Sequence, residues 1–425
     1  MLDPYKIRKD FPMFDNCPTM QGHPLVYLDN AATTFKPQCV IDAISEYYSS
    51  YTANSHRGDY DLAHKVDVKY EEARNIVAKF INAEPNEVAF TSGTSMSMNM
   101  IAYGLAELLD EGDEILLSEA EHASNVLPWF KIAEIKHCTI GYIPLTEDGR
   151  MTAENLKNSI TPKTKVISLA QVTNVLGYTV DVKELAKIAH EHNALFIVDG
   201  AQSVPHMKVD VKDIDCDFLA FSGHKICGPT GIGVMYGKYE LLKKISPLLS
   251  GGGMNTRFET CGNVSLQIPP LKFEAGTQNI AGAIGLARAI QYVESIGLDN
   301  IREYEAKLRK RAIDGLKNIT GVKVYNPDAD SGIITFNIDG VFAQDAASLF
   351  NSYGVCVRSG QHCAKILMNF LKTTATLRAS IYFYNTEEDI DAFLEACRHG
   401  GDFLDAFFKW SNVAPWNNHG SLSKP

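Results

Sequence analysis

Two stretches decide the fold: ALFIVDG at residues 194–200 and DFLAFSGHKICGPTGIGVMYG at residues 217–237. The first is an apolar run that ends in an acid, which is typical of a buried parallel strand whose carboxyl end carries function. The second predicts two further strands, DFLAFSGHK and GIGVMYG. Together they predict the interior of an α/β sheet.

Around these stretches, short β-rich runs alternate with amphipathic helical ones. Residues 61–82 carry apolar side chains at helical spacing, 87–93 predict a strand and turn, and 181–193 predict a helix that leads into ALFIVDG. Further strands are predicted at 113–118 and 164–171. This alternation indicates βα units and a mainly parallel sheet.

Beyond about residue 280 the pattern changes to long helices followed by strands and shorter helices, which predicts a smaller α+β domain. We therefore expect a large domain at 21–280 and a small domain built from 1–20 and 281–408. Residues 409–425 are mostly polar and interrupted by Pro and Gly, so we expect a flexible tail.

Composition narrows the function classes. The 425 residues are 45% hydrophobic and 21% charged, as in soluble globular proteins, and the net charge of −11 argues against a nucleic-acid partner. No apolar run approaches the roughly 18 residues that cross a bilayer, and no export signal is expected at the N-terminus. Nine cysteines do not suggest a disulfide framework. We expect a cytoplasmic enzyme that does not bind membranes.

Asp199 and Lys225 each follow an apolar strand, where α/β sheets build their sites. A turn or helix cap would explain Asp199 alone. Lys225 lies in SGHKICGPTGIG, where neither a solvated helix face nor a core explains a lysine. A buried lysine that loses its proton can form an imine. Pyridoxal phosphate (PLP) needs such a lysine and an acid on its ring nitrogen.

Candidate phosphate ligands surround this pair. Thr94 and Ser95 lie at a Gly-containing turn that opens a predicted helix, where free N–H groups favour an anion. Ser222 and His224 flank Lys225 and add side-chain donors. Ordinary helix capping would also explain the Ser and Thr residues. A dinucleotide-binding interpretation of GPTGIG is rejected because the spacing differs and a strand follows.

A second constellation is RSGQHCA at 358–364. Cys356 and Cys363 are not spaced like zinc ligands, so no metal site is expected. Cys363, beside Gly, Gln, His and a nearby Lys, is predicted to be accessible in an electropositive setting that favours the thiolate. Arg378 stands inside the apolar strand TLRASIYF, where either a substrate carboxylate or a buried ion pair would be its partner.

At this point the chain resembles a known family, the class V, fold-type I PLP enzymes, and within it the Suf-type (group II) cysteine desulfurases, relatives of selenocysteine lyase. The matching motifs occur in the family's order over nearly the whole chain. They are YLDNAATTFKP, NSHRGDYDLA, TSGTSMSMN, EAEHASNVLPW, QVTNVLG, VDGAQSVPH, FSGHKICGPTGIGV, FEAGTQN, RSGQHCA and LRASIYFYNT.

The resemblance implies a large domain with a mainly parallel seven-stranded sheet flanked by helices, and a smaller α+β C-terminal domain. It implies a homodimer that converts L-cysteine to L-alanine with PLP and forms a persulfide on Cys363. The sulfur would then pass to an acceptor protein of the Suf E or U type for iron–sulfur cluster assembly.

The resemblance also implies roles at the cofactor. Lys225 would form an aldimine with PLP and move protons, Asp199 would pair with the pyridinium nitrogen, and Gln202 would hydrogen-bond the phenolic oxygen. His122 would stack on the ring and assist proton transfer. The implied phosphate ligands are Thr94, Ser95, Ser222, His224 and, from a second subunit, Thr277.

On the substrate side, the resemblance implies that Asn174 and Arg378 bind the carboxylate and that Arg358 lines the pocket beside the Cys363 loop. His56 would approach the partner's site. Some positions depart from the family pattern, namely Met96, Gln361 and the GGGMNTRFETCG segment at 251–262. Alternatives are a selenocysteine lyase, a cysteine sulfinate desulfinase, a small-amino-acid aminotransferase and a catalytically silent scaffold. The presence of Lys225, Asp199 and Cys363 argues against the silent scaffold.

Overall fold

The computed structural model describes residues 2–55 and 58–400. The helices are, in chain order, α1 Pro4–Arg8, α2 Pro12–Asn16, α3 Gln38–Ser50, α4 Asp61–Phe80, α5 Thr94–Leu105, α6 Leu127–Lys136, α7 Ala153–Ser159, α8 Val182–Glu191, α9 Val211–Ile214, α10 Tyr239–Lys244, α11 Ile280–Ile296, α12 Leu298–Leu316, α13 Ala343–Ser352, α14 Lys365–Phe370 and α15 Glu387–Arg398.

The strands are, in chain order, β1 Thr19–Met20, β2 His23–Pro24, β3 Val26–Tyr27, β4 Val88–Thr91, β5 Glu114–Ser118, β6 Thr139–Ile143, β7 Thr164–Ala170, β8 Leu195–Asp199, β9 Phe218–Ser222, β10 Gly233–Gly237, β11 Asn255–Phe258, β12 Val264–Leu266, β13 Val322–Val324, β14 Ile333–Ile338, β15 Val355–Cys356, β16 Arg358–Gly360 and β17 Thr376–Ser380.

Seven strands form the central sheet, in the spatial order β4-β10-β9-β8-β7-β5-β6. β10 runs antiparallel to β4 and β9, and every other neighbouring pair is parallel. The prediction of a mainly parallel, seven-stranded α/β sheet is therefore confirmed. Because β5, β7, β8 and β9 are parallel, their carboxyl ends meet at one edge of the sheet.

The central sheet is covered on both faces, which explains why its strands read as continuous apolar runs. In β8, Phe196 and Val198 belong to the core shared with α4, α8 and α11. Ile197, which points to the opposite face, belongs to the core shared with α5 and α6. Alternating side chains of one strand therefore serve two separate apolar layers.

A second, antiparallel sheet has the order β13-β14-β17-β16 and packs with α12, α13 and α15 around its own core. Next to this core, the short strand β3 near the N-terminus pairs in parallel with β15. The division of the chain at residue 280 stays a prediction, as does the character of residues 409–425, which lie outside the described residues.

Some elements had no clear sequence signal. In the antiparallel hairpin β11–β12, β11 lies in the GGGMNTRFETCG segment and β12 follows directly after it. β6 carries only one fully buried residue, so its hydrophobic pattern is weak. The apolar strand predicted over TLRASIYF ends at Ser380, three residues early. Across residues 2–55 and 58–400, no helix combines the length and apolar character that a membrane crossing requires.

Candidate active site

A cavity of about 310 Å³ lies at the carboxyl edge of the central sheet and is closed on one side by β16 and β17. The predicted site residues that line it are Thr94, Ser95, His122, Asn174, Asp199, Gln202, Ser222, His224, Lys225, Arg358, Cys363 and Arg378. Thr277 is exposed and lies outside this cavity, and its role in a partner's site stays a prediction. His56 lies outside the described residues.

Asp199 and Lys225 reach the cavity from neighbouring strands. Asp199 ends β8, and Lys225 lies on the single 3₁₀ turn that follows β9. Burial lowers the pKa of the Lys225 amine to about 8, an effect that Asp199 opposes and Arg378 increases. Burial also raises the pKa of Asp199, whose carboxylate accepts a 2.9 Å hydrogen bond from the Ala201 N–H. A cation on a bound ring would offset that cost.

The turn that carries Lys225 is held through the carbonyl oxygen of His224. The Thr34 N–H, the Thr33 hydroxyl, the Thr34 hydroxyl and the Lys36 ammonium all lie within 3.0–3.3 Å of this oxygen. The Thr34 hydroxyl oxygen also accepts from the Cys227 N–H at 2.9 Å. These contacts restrict the backbone on both sides of Lys225, and no sequence pattern indicated them.

The candidate phosphate cradle forms where α5 begins. The Thr94 N–H and hydroxyl lie 2.8 and 2.7 Å from the Ser222 hydroxyl, so α5 and the end of β9 meet here. A Cβ on Gly233 would lie 2.4 Å from the Gly93 Cα, and Gly93 itself has a φ of 147°. The close approach thus needs glycine at both positions, and it leaves the helix N-terminus open to an anion.

His122 enters the cavity as a neutral ring. Its Nδ1 accepts a 3.1 Å hydrogen bond from the Ser124 N–H, so the ring proton is on Nε2. Burial, together with the nearby charges of Lys225 and Arg378, lowers the pKa of His122 to about 4. A ring of this kind can stack on an aromatic cofactor without adding positive charge.

Sequence reasoning missed Glu121, which is buried behind His122. Its carboxylate accepts hydrogen bonds from the Ser118 hydroxyl, the Asn125 amide and the Ala170 N–H at 2.5–3.0 Å. Burial raises its pKa to about 7, and these donors oppose the shift. Glu121 lies in EAEHASNVLPW, where Glu119, Ser124 and Asn125 are also polar, so no local pattern indicated that its carboxylate is buried.

The Cys363 loop is strained and tied to the cavity wall. His362 and Cys363 both have positive φ angles, of 51° and 57°. The Cys363 carbonyl accepts from the Ala123 N–H at 2.7 Å, and the His362 carbonyl accepts from the Asn174 amide at 2.7 Å. The backbone is therefore fixed while the Cys363 thiol stays exposed, which confirms the predicted accessibility.

Arg358 and Arg378 form the far wall of the cavity, on the side of β16 and β17, and both contact Asp29. Arg358 contacts Asp29 through two nitrogens, at 2.8 and 3.1 Å, whereas Arg378 lies 3.5 Å from the same carboxylate. Arg378 also donates to the Asn174 carbonyl at 2.9 Å. Its Nε and the Asn174 Oδ1 are buried without a hydrogen-bond partner among the described residues. Arg378 therefore has the long ion pair of one predicted alternative, and its free Nε leaves the other, a substrate carboxylate, as a prediction.

PLP fits this donor set. Residues 2–55 and 58–400 contain no hydrogen-bond partner for the Lys225 Nζ, whose lowered pKa favours the amine needed for an imine. Asp199 is a buried acid in the cavity that would pair with a cation on the ring, and the α5 N-terminus would offer donors to the phosphate. The Gln202 amide donates to the Ala31 carbonyl at 2.8 Å and keeps a second N–H for another acceptor.

Comparison with known proteins agrees with this geometry. The family model described as "Aminotransferase class-V" matches residues 26–393. A "Probable cysteine desulfurase" of Halalkalibacterium halodurans is 45% identical over 410 residues, which are 96% of this chain and 100% of that protein.

Two solved structures are also similar. The apo structure of cysteine desulfurase from Thermococcus onnurineus is 40% identical with a TM-score of 0.89, covering 94% of this chain and 98% of that one. The cysteine desulfurase CsdA from Escherichia coli is 37% identical with a TM-score of 0.87, covering 95% and 99%. With a matching family model over most of its length and relatives of this similarity, the chain belongs to the aminotransferase class-V family and, within it, to the cysteine desulfurases.

Proposed function

We propose that this protein is a PLP-dependent desulfurase that converts L-cysteine to L-alanine and stores the sulfur as a persulfide on Cys363. One observation carries the proposal: an amine of lowered pKa, a buried acid, a buried arginine and an exposed thiol share one cavity of about 310 Å³. An aminotransferase would use the first three of these groups but has no use for the thiol.

The cofactor would be bound by groups already directed into the cavity. PLP, when bound, supplies an electron sink for charge that develops on the substrate. Asp199 would keep its ring nitrogen protonated, His122 would cover one ring face, and Gln202 would donate to its phenolic oxygen. The proposed phosphate ligands are Thr94, Ser95, Ser222 and His224, with Thr277 from the second subunit of a homodimer.

Substrate orientation would depend on the far wall. The unused Nε of Arg378 can donate to a substrate carboxylate. The Asn174 side-chain amide donates one N–H to the His362 carbonyl and keeps a second N–H that can donate to the same carboxylate, while its backbone carbonyl accepts from Arg378. The substrate's Cα–H would then lie toward Lys225. Since the pKa of the Lys225 amine is lowered to about 8, a neutral amine is available near neutral pH to take the α-proton and later return it.

Cys363 would carry out the sulfur step. Its thiolate attacks the substrate sulfur, the new S–S bond forms as the substrate Cβ–S bond breaks, and the carbon retains the electron pair. That carbon then takes up a proton, which gives L-alanine and the Cys363 persulfide, so no external oxidant or reductant is needed. The fixed backbone of the loop lowers the entropic cost of bringing the thiolate to the substrate sulfur.

The persulfide would pass to an acceptor protein, of the Suf E or U type, for iron–sulfur cluster assembly. The acceptor's thiolate attacks the outer sulfur, and Cys363 leaves as a thiolate ready for another cycle. Support for transfer to a protein comes from the exposure of Cys363, since a thiol enclosed in the cavity could not be reached by a second macromolecule.

The proposal is tested by Cys363→Ser, with Cys261→Ser as matched control because Cys261 is also exposed but lies outside the cavity. We expect Cys363→Ser to keep the PLP absorbance and to lose roughly a hundredfold or more of alanine production from L-cysteine. Mass spectrometry should show one added sulfur on Cys363 of the parent protein and of the control. Full alanine production by Cys363→Ser would reject the sulfur step, and a protein that cannot be loaded with PLP would reject the cofactor.

A further inference from the structure

Asp29 has no role in the mechanism above, yet it is the acid that contacts both arginines of the cavity wall. Its side chain is 16% exposed, and it bonds Arg358 through two nitrogens. Its contact with Arg378 is longer, at 3.5 Å, although Arg378 is only 3% exposed. The carboxylate therefore neutralises Arg358 directly and Arg378 only in part.

The charge of the wall follows from the state of its other titratable groups. Burial lowers the pKa of His122 and His224 to about 4 and of His362 to about 3, so these rings are neutral near pH 7. Asp199 and Lys225 are taken up by the cofactor in the proposed function. Arg358, Arg378 and the Asp29 carboxylate that contacts them together carry one net positive charge, and the Cys363 thiolate of the proposed sulfur step faces the cavity from its own loop.

We propose that Asp29 is a specificity-determining residue that matches the arginine pair to one anionic group, and so favours amino acids with an uncharged side chain over those with a second anion. This inference rests on the proposed function and deepens it. The substrate class selected is a β-thiol amino acid with a single carboxylate. The class disfavoured has an acidic group on Cβ, such as a sulfinate or a carboxylate.

The geometry explains how Asp29 can discriminate without blocking the site. A substrate carboxylate can bind the unused Nε of Arg378 while Asp29 stays on Arg358. A second anion would need Arg358, whose charge Asp29 already offsets through two hydrogen bonds, and it would be repelled by the Asp29 carboxylate beyond that guanidinium. Because the Asp29 side chain is only 16% exposed, water screens such repulsion less than it would between two surface charges.

A purely structural ion pair would predict something different. In that case Asp29 would only fix the position of Arg358, and its removal would weaken all carboxylate ligands alike. Charge matching instead predicts that removal of the carboxylate helps dianions more than monoanions. The comparison of two ligands of equal shape and unequal charge therefore separates the two roles.

The test uses the PLP-loaded protein and its Asp29→Asn and Asp29→Glu variants, with Asp15→Asn as control at an exposed site. Calorimetry gives dissociation constants for succinate, a dianion, and succinamate, its monoanionic isostere. We expect Asp29→Asn to shift the affinity ratio toward succinate by roughly tenfold or more, and Asp29→Glu and the control to keep the parent ratio. The kcat/KM ratio of cysteine sulfinate to cysteine should move in the same direction in Asp29→Asn.

An unchanged succinate-to-succinamate ratio in Asp29→Asn would overturn the proposal, as would an equal loss for both ligands. An Asp29→Glu variant that behaves like Asp29→Asn would also overturn it, because the charge is retained there. Failure of the proposed function would be seen separately, as no alanine formed from L-cysteine by the parent protein. The binding comparison can still be read in that event, since it requires no turnover.

Discussion

Replacing Lys225 by Met should stabilise the cofactor-free protein below pH 8, because the folded chain holds an ammonium group in a site that disfavours charge. Burial lowers the pKa of Lys225 from its ordinary 10.5 to about 8. At 1.36 kcal/mol per pKa unit, this difference corresponds to about 3 kcal/mol. The value is an upper limit, since part of the side chain faces the cavity and water can enter there.

The sign of the pH dependence follows from proton counting. Between pH 8 and 10.5 the unfolded lysine keeps its proton while the folded one has lost it, so the parent protein gains stability as the pH rises. The Met variant lacks this group, and its advantage should be complete below pH 8 and should narrow by about 2–3 kcal/mol between pH 7 and pH 10. The advantage reflects the stability that the chain gives up for a reactive amine.

Urea denaturation of both cofactor-free proteins at several pH values measures this difference. The control is Lys187→Met, at a lysine whose side chain is 78% exposed, and it should shift the free energy of unfolding by less than about 0.5 kcal/mol at every pH. A difference between parent and Lys225→Met that does not change with pH would show that the Lys225 amine is not desolvated. A stability loss at pH 7 would contradict the reasoning directly.

Two further outcomes concern the frame of the site. Arg74→Met should lower the free energy of unfolding by about 3–5 kcal/mol, because it leaves the buried Glu274 carboxylate without the guanidinium that contacts it at 2.6 and 2.9 Å. Urea denaturation measures this loss, with Lys69→Met as a control at an exposed lysine. A loss below about 1 kcal/mol would contradict the expectation. Gly233→Ala should lower the free energy of unfolding by about 1–3 kcal/mol and weaken PLP binding, because the new Cβ would clash with the Gly93 backbone. An unchanged PLP affinity in a spectroscopic titration would show that Gly233 does not shape the phosphate cradle.

Much of the fold could be predicted because strand burial leaves a clear pattern. β8 has four buried residues out of five, and both of its faces pack against apolar cores, so its sequence is a continuous apolar run. β11 and β12 have no fully buried residue, and their hairpin accordingly lacked a signal. Where a strand buries no side chain, hydrophobic periodicity carries no information about it.

The candidate site was predicted to the extent that its chemistry depends on unusual residues in unusual places. A lysine in a Gly-rich loop and a thiol in RSGQHCA conflict with ordinary packing, and both line the cavity. Asp29 and Lys36 gave no such conflict, because a charged residue in a loop needs no explanation. Their importance depends on partners more than 180 positions away in the chain, and sequence-local reasoning cannot supply such partners.

Residues 29–36 show what this long-range pairing achieves. Asp29 bonds the arginines of β16 and β17, the Ala31 carbonyl accepts from Gln202, and Thr34 donates to the His224 carbonyl beside Lys225. One short segment therefore sets the distances between the carboxylate-binding wall, the loop after β8 and the lysine turn, which three separate parts of the chain supply. A shift of about 1 Å between such groups can cost about a hundredfold in rate, so a single backbone that contacts all three is an effective way to preorganise them. It follows that Asp29 acts from a fixed frame: changing its charge should alter which ligands the arginines prefer, while the contacts of Ala31 and Thr34 keep Lys225 in place.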